Sequence, residues 1–132
     1  MIKVTMDGHE YQNQAMRTND GGADRRLRNI LSQNAMSGKY DTAGLLNGLL
    51  GLSGETGEVS DMVKKWIFHE KPLDEEHFQK EVGDVCWYIA LICESMHWDL
   101  SEIMEININK LRLRYPDGFD IQHSEHRQEG DV

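Results

Sequence analysis

Proline and cysteine are both scarce in this sequence, with two of each among 132 residues. Because proline breaks a helix interior, a chain that has only Pro72 and Pro116 leaves room for long, uninterrupted helices. Cys86 and Cys93 lie seven residues apart on one face of a predicted helix, which excludes a CxxC redox pair and a disulfide bond between them. We expect both to be reduced thiols packed in the core.

Long apolar runs and an excess of basic residues are also missing. No apolar stretch approaches the roughly 20 residues of a membrane-spanning helix, and the start MIKVTMDGHE lacks the features of a signal peptide. The 14 basic residues are outnumbered by 23 acidic ones, for a formal net charge of -9. This balance argues against a nucleic-acid or membrane partner and suits a protein that concentrates cations. We expect a soluble, cytoplasmic protein.

Helical periodicity dominates the chain, and almost nothing in it is typical of a strand. Two short helices are predicted before three long ones. They cover about residues 11–17, 25–36, 41–69, 74–97 and 99–115. An aspartate begins each long helix as an N-cap: Asp41, Asp74 and Asp99. The pattern predicts an all-α protein.

The length of the chain is that of one ordinary domain, so residues 1–132 are expected to form a single domain. We expect a four-helix-type bundle that is oligomeric, since a chain of this size has few helices with which to enclose its apolar ones. The stretch 120–132 is polar and aperiodic, which is typical of a frayed or disordered tail.

Two features indicate that the long helices are buried on more than one side. Glycines recur every three or four residues from Gly44 to Gly57. Each costs about 1 kcal/mol relative to alanine inside a helix, so the row implies the close approach of a backbone or ligand, unless the helix is broken there. The stretch VCWYIALIC (85–93) is apolar nearly all round. We expect a second subunit to enclose it, in a homodimer or homotetramer.

The strongest candidate site consists of two carboxylate pairs, each with a spacing of three residues. Glu55 and Glu58 lie on the first long helix, and Glu81 and Asp84 lie on the second. Residues three apart share a helix face, and on the helical wheel these faces also carry apolar core residues. Asp61 points away from that face and is expected to be an ordinary solvated acid.

The turn around Pro72 returns the second long helix antiparallel to the first, so the two acid pairs can lie side by side. Four clustered carboxylates would raise each other's pKa values unless a hard divalent cation neutralised them. Mg²⁺ and Mn²⁺ prefer oxygen ligands of this kind. The sequence therefore predicts a magnesium site, with Mn²⁺ as a possible substitute. The alternative is that these acids lie on solvated faces.

The third long helix supplies groups of complementary charge. Asn107, Lys110 and Arg114 fall within about 60° of each other on the helical wheel, on the side that carries Ile103 and Leu111. They are expected to point inward. They could form salt bridges to the carboxylates, or they could hold an anion over the metal, in which case a phosphate is indicated.

Three stretches, in this order, resemble the MazG-like, all-alpha nucleoside triphosphate pyrophosphohydrolases, relatives of the dimeric dUTPases and dCTP pyrophosphatases. They are GLSGETGEVSD (51–61), KEVGDVCWYIA (80–90) and NINKLRLRYPDGF (107–119). The resemblance covers roughly residues 45–119, within a core of about 41–119. It implies hydrolysis of a (d)NTP to a (d)NMP and pyrophosphate, as in cleansing of the nucleotide pool.

The resemblance also assigns residues. It implies that the metal-binding and catalytic residues are Glu55, Glu58, Glu81 and Asp84. It implies that phosphate or sugar is contacted by Asn107, Lys110 and Arg114, with Tyr115 supporting the nucleotide. The base preference, the number of metal ions and the identity of the general base stay open. The phosphoribosyl-ATP pyrophosphohydrolases are a neighbouring option within the same family.

Two other functions fit less of the sequence. A di-iron bundle needs two Glu-x-x-His motifs, and only Glu94 and His97 have that spacing. A non-catalytic, metal-binding helical interaction module would bind metal or associate without turnover. Histidine and tryptophan are assigned structural roles. Capping or surface positions are expected for His69, His77 and His97. Core positions are expected for Trp66, Trp87 and Trp98, with stacking on a nucleotide base as the alternative.

Overall fold

The computed structural model describes residues 6–126 as six α-helices, with no strand among these residues. The helices are α1 (Gly8–Met16), α2 (Ala23–Ser37), α3 (Thr42–Phe68), α4 (Glu75–Met96), α5 (Leu100–Arg114) and α6 (Ile121–Glu125). The predicted all-α class is confirmed. Part of the stretch that was expected to be frayed or disordered is helical, namely α6. The rest of that stretch, residues 127–132, lies outside the described residues. None of the described helices is long and apolar enough to cross a lipid bilayer.

The chain divides into two compact units, one ending at Gly38 and one beginning at Lys39. The first unit contains α1 and α2. An ion pair of 2.7 Å between Arg26 and Asp20 supports the start of α2. The helix ends at Gly38, whose φ of 65° suits glycine. No residue of α1 or α2 is buried. The candidate site lies wholly in the second unit.

Aspartate N-caps begin the three long helices, as predicted. The Asp41 carboxylate accepts the N–H of Gly44 at 2.9 Å, and Asp74 accepts the N–H of His77 at 3.0 Å. Asp99 accepts the N–H of Ser101 at 2.7 Å. Each cap satisfies a backbone donor that the first helical turn leaves without a partner. The caps therefore fix where α3, α4 and α5 begin.

Glycines on α3 let α4 approach closely. A Cβ atom at Gly48 would lie 2.8 Å from Cγ1 of Ile92, and one at Gly51 would collide with the ring of Tyr88. These contacts run in opposite directions along the two helices, so α3 and α4 form an antiparallel hairpin, the α3–α4 hairpin. Because α3 is continuous from Thr42 to Phe68, the alternative of a broken helix is wrong, and the predicted close approach is confirmed.

The α3–α4 hairpin is incompletely covered within one chain. Among the described residues of this chain, Cys93 is the one buried apolar side chain, whereas Cys86 is exposed. The three tryptophans expected in the core are 48% to 59% exposed: Trp66, Trp87 and Trp98. The core prediction is thus wrong for Cys86 and for the tryptophans. The reason is that, among the described helices of the second unit, α3 and α4 alone pack along each other.

Candidate metal centre

Three of the four predicted carboxylates meet where α3 faces the second and third turns of α4. One oxygen from each of Glu55, Glu81 and Asp84 lies within 4.8 Å of the other two. Ligand oxygens around Mg²⁺ stand about 2.1 Å from the ion, so they are at most about 4.2 Å apart. The donor set therefore fits a hard divalent cation in ligand type, and the upper bound of 4.8 Å is close to the spacing that direct ligation requires.

The fourth carboxylate, Glu58, lies on the wall of an adjoining cavity of about 410 Å³. Both helices of the hairpin contribute to this cavity, and Glu81 lines it as well, so it adjoins the acid cluster. The lining residues are Gly54, Gly57, Glu58, Asp61, Met62, Lys65, His77 and Glu81. A Cβ atom at Gly54 or Gly57 would meet open space. The latter part of the glycine row thus borders the cavity, whereas its earlier part packs on α4.

The electrostatics of the site agree with this convergence. The pKa of Glu55 is raised, first because partial burial disfavours its charged form, and then because of the negative charges of Glu58, Asp84 and Glu81. A side-chain hydrogen bond between Glu55 and Glu81 acts in the same direction, since it requires a proton. Glu55 is thus affected by the negative charges of the three other acids, and a divalent cation could neutralise that charge in place of the proton.

This shift gives a pH-dependent prediction for the metal-free protein. The folded-state pKa of Glu55 lies above its unfolded value, so the folded chain holds more protons, and stability is lost as the pH rises through the folded pKa. Glutamine resembles the protonated acid. In EDTA, Glu55→Gln should therefore raise the thermal unfolding midpoint at pH 8, and its advantage over wild type should shrink as the pH is lowered. A wild-type midpoint at or above that of the variant at pH 8 would contradict this account.

Asp61 differs from its prediction. It lines the cavity and forms an ion pair of 2.5 Å with Lys65, which lowers the pKa of the Asp61 carboxyl. The prediction that Asp61 points away from the site is wrong, because the cavity between the hairpin helices extends to the side of α3 that carries Asp61, although its side chain is 48% exposed. Asp61 is consequently unsuitable as a control residue. Glu76 on α4 is suitable, since its side chain is 80% exposed and pairs with Lys80.

His77, for which a capping or surface position was predicted, reaches the candidate site. Nε2 of His77 lies 2.7 Å from Oε1 of Glu81. The predicted surface position is correct, since the side chain is 57% exposed. The prediction missed that the ring contacts Glu81, a candidate metal ligand. The signal that could have identified this contact is the spacing of four residues in HFQKE, which puts the two side chains on one helix face.

The predicted phosphate-binding residues lie on α5 and at its C-cap. Lys110, Arg114 and Tyr115 are partly buried, and Asn107 is exposed. The Tyr115 ring packs on Phe119, with 5.5 Å between the ring centroids. None of Asn107, Lys110, Arg114 and Tyr115 lines the cavity beside the acid cluster. Within one chain, the structure brings the acids together and does not add these four residues to them.

The comparison with known families concerns the same part of the chain. Residues 45–119 match the model of the MazG nucleotide pyrophosphohydrolase domain. The chain belongs to this family. Gene 37 protein of Mycobacterium phage L5 is 35% identical over 75 residues, which cover 54% of this chain. The aligned region spans 66% of the length of that phage protein, slightly under two thirds. No solved structure matches the chain.

The MazG domain contains every candidate site residue. The matched region begins within α3 and ends after α5, so it includes the α3–α4 hairpin, the acid cluster and the α5 residues. Helices α1, α2 and α6 lie outside it. The resemblance inferred from the three sequence stretches is therefore confirmed as family membership, and the matched boundaries agree with those expected from the sequence.

Proposed function

We propose that the protein is a Mg²⁺-dependent nucleoside triphosphate pyrophosphohydrolase, which converts a (d)NTP and water into a (d)NMP and pyrophosphate. Membership of the MazG family supports nucleotide pyrophosphohydrolase activity in general. The observation that extends it to this chain is the convergence of Glu55, Glu81 and Asp84. We further propose that the enzyme acts on the cytoplasmic nucleotide pool.

In this proposal, the carboxylates hold the cation, and one of them accepts the proton of the attacking water. The four residues are Glu55, Glu58, Glu81 and Asp84. The cation they would hold, Mg²⁺ or Mn²⁺ in its place, would supply neutralisation of the triphosphate charge and a lowered pKa for a bound water molecule. A carboxylate that is not fully engaged with metal accepts the proton as the water attacks phosphorus in line with the leaving pyrophosphate. Glu58 and Glu81 line the cavity, which is the proposed binding space of the substrate.

The residues of α5 are proposed to bind the triphosphate. Lys110 and Arg114 carry the positive charge that phosphates require, and Asn107 and Tyr115 can donate hydrogen bonds. Because these four residues do not line the cavity of their own chain, a second subunit is the proposed means of completing the site. The salt-bridge alternative predicts that substituting Lys110 destabilises the fold, whereas phosphate binding predicts a raised KM in a folded protein.

We propose a homodimer, or a homotetramer built from it, in which a second copy covers the α3–α4 hairpin. The support is the exposure of large apolar side chains along both helices, among them Leu50 at 74% and Trp87 at 59%. Exposed apolar surface of this kind marks association sites. Two hairpins would supply the helices of a four-helix bundle, and twofold symmetry would use the same surface on both copies.

Assembly is testable without any substrate. The wild-type chain should sediment as a dimer or tetramer in analytical ultracentrifugation. Leu50→Glu and Trp87→Glu, which place charges on the exposed apolar surface, should shift it towards the monomer. Met36→Glu on α2, where the native methionine is 87% exposed, serves as the control, because α2 lies outside the α3–α4 hairpin. A wild-type monomer at every concentration would contradict the proposed assembly.

Turnover is tested with a panel of canonical and modified (deoxy)nucleoside triphosphates, incubated with Mg²⁺ or with EDTA. The proposal expects Mg²⁺-dependent consumption of at least one substrate, and the panel then ranks the bases. The alternative function, a non-catalytic metal-binding interaction module, expects Mg²⁺ binding by a folded protein with no turnover across the panel.

A further inference from the structure

His77 is a residue of the cavity wall to which the proposed reaction gives no role. It lies in the first turn of α4, where its backbone N–H is held by the N-cap Asp74 at 3.0 Å. Its ring reaches along the helix to the residue four positions later, with Nε2 2.7 Å from Oε1 of Glu81. The helix cap fixes the backbone of His77, and the helix fixes its distance to Glu81. The contact is therefore set by the local fold.

The surroundings of this contact separate it from ordinary surface pairs. The Glu81 side chain is only 14% exposed, while that of His77 is 57% exposed. The same helix carries a second pair, Lys80 and Glu76, with the same spacing of four residues and the same distance of 2.7 Å. Those side chains are 69% and 80% exposed. A hydrogen bond to a shielded carboxylate is stronger than one in open solvent, where such pairs contribute little.

We propose that His77 is a positioning residue, which holds the Glu81 carboxylate in the orientation that binds the divalent cation. The inference rests on the proposed role of Glu81 as a metal ligand. In the tautomer that carries the proton on Nε2, the ring donates to Oε1 of Glu81 and stops the carboxylate from rotating. An oxygen of Glu81 lies within 4.8 Å of oxygens of Glu55 and Asp84, so the orientation of this carboxylate decides how well the three groups converge on one cation.

Hydrogen bonds to a metal ligand have measurable consequences. Carboxylate ligands are commonly oriented by such partners, and loss of a partner lowers metal affinity or activity by about 10-fold to 100-fold. His77 contacts the metal only through Glu81 in this proposal. Its removal should therefore weaken metal binding without unfolding the protein, because more than half of the side chain lies in solvent.

The test measures Mn²⁺ affinity by electron paramagnetic resonance, so that it does not depend on turnover. His77→Phe keeps a ring and loses the donor, and it should bind Mn²⁺ about 10-fold to 100-fold more weakly. His77→Gln keeps an N–H group that can reach Glu81 and should retain affinity close to wild type. Lys80→Ala breaks the matched surface pair and should leave affinity unchanged. Circular dichroism of each variant verifies folding.

Two results would overturn the proposal. One is wild-type Mn²⁺ affinity in His77→Phe. The other is a nitrogen coupling in the electron spin echo of wild-type protein that disappears in His77→Gln, because it would make His77 a ligand itself. A wild type that binds no Mn²⁺ would also overturn it, together with the ligand role of Glu81. Mn²⁺ binding that depends on His77 in a protein without turnover would instead support the proposal and contradict the proposed function.

Discussion

Glu81→Ala and Asp84→Ala are each expected to abolish turnover, with a loss of about a thousandfold or more in kcat. Both residues belong to the cluster whose oxygens lie within 4.8 Å of each other, so either substitution removes a donor from the proposed centre. Removal of a single electrostatic stabiliser commonly costs 10²-fold to 10³-fold in kcat. A lost metal ligand should exceed this cost, since a cation held by fewer ligands orients the triphosphate and the attacking water less well even at saturation. Initial rates at saturating Mg²⁺ and substrate measure the effect.

Glu76→Gln is the matched control for these two variants. Glu76 lies on the same helix, carries the same charge as the candidate ligands and is 80% exposed. Its substitution should leave turnover close to that of wild type. An equal loss in Glu76→Gln would indicate that the overall negative charge matters rather than the geometry of the cluster, and it would contradict the assignment of the site.

Gly51→Ala is expected to destabilise the protein by about 1–3 kcal/mol, as overpacking of a close contact does. The added methyl group would collide with the ring of Tyr88, on the helix that carries Glu81 and Asp84. Alanine otherwise favours a helix over glycine by about 1 kcal/mol, so the collision must exceed that gain for the variant to be less stable. Urea denaturation followed by circular dichroism measures the free energy of unfolding.

Gly54→Ala provides the opposite expectation on the same helix. A Cβ atom at Gly54 meets nothing within 4 Å, so this variant should be more stable than wild type by up to about 1 kcal/mol. The two substitutions are chemically identical and lie three residues apart, and they differ in whether α4 lies against them. Equal effects on stability would contradict the packing of the α3–α4 hairpin described above.

The sequence predicted the features of this protein that depend on local chemistry. Asp41, Asp74 and Asp99 cap the helices at which they were expected. An aspartate just before a helical pattern of apolar residues is a favoured N-cap, because its carboxylate accepts a free backbone N–H of the first turn. The pairing of Glu55 with Glu81 and Asp84 also followed from local rules, namely a helix period of 3.6 residues and a short turn between two helices. Features that these two rules determine were predictable.

The features that the sequence did not predict depend on what lies beside each helix. A helical wheel gives the direction of Asp61, but it does not reveal that the end of α4 forms a cavity wall on that side. The hydrogen bond between His77 and Glu81 depends on the side-chain rotamer of an exposed histidine, which the sequence does not specify. Trp87 and Cys86 look like core residues because their neighbours are apolar, and they are exposed because a single chain lacks the helices to cover them.

The central claim is that this MazG-family chain uses its carboxylate cluster to cleave a nucleoside triphosphate between the α and β phosphates with a divalent cation. It is tested most directly by ³¹P nuclear magnetic resonance of a (d)NTP incubated with the wild-type protein and Mg²⁺. The account predicts nucleoside monophosphate and pyrophosphate in equal amounts, with no products in EDTA and none with Asp84→Ala. Nucleoside diphosphate and inorganic phosphate, or products that persist in EDTA or with Asp84→Ala, would contradict it.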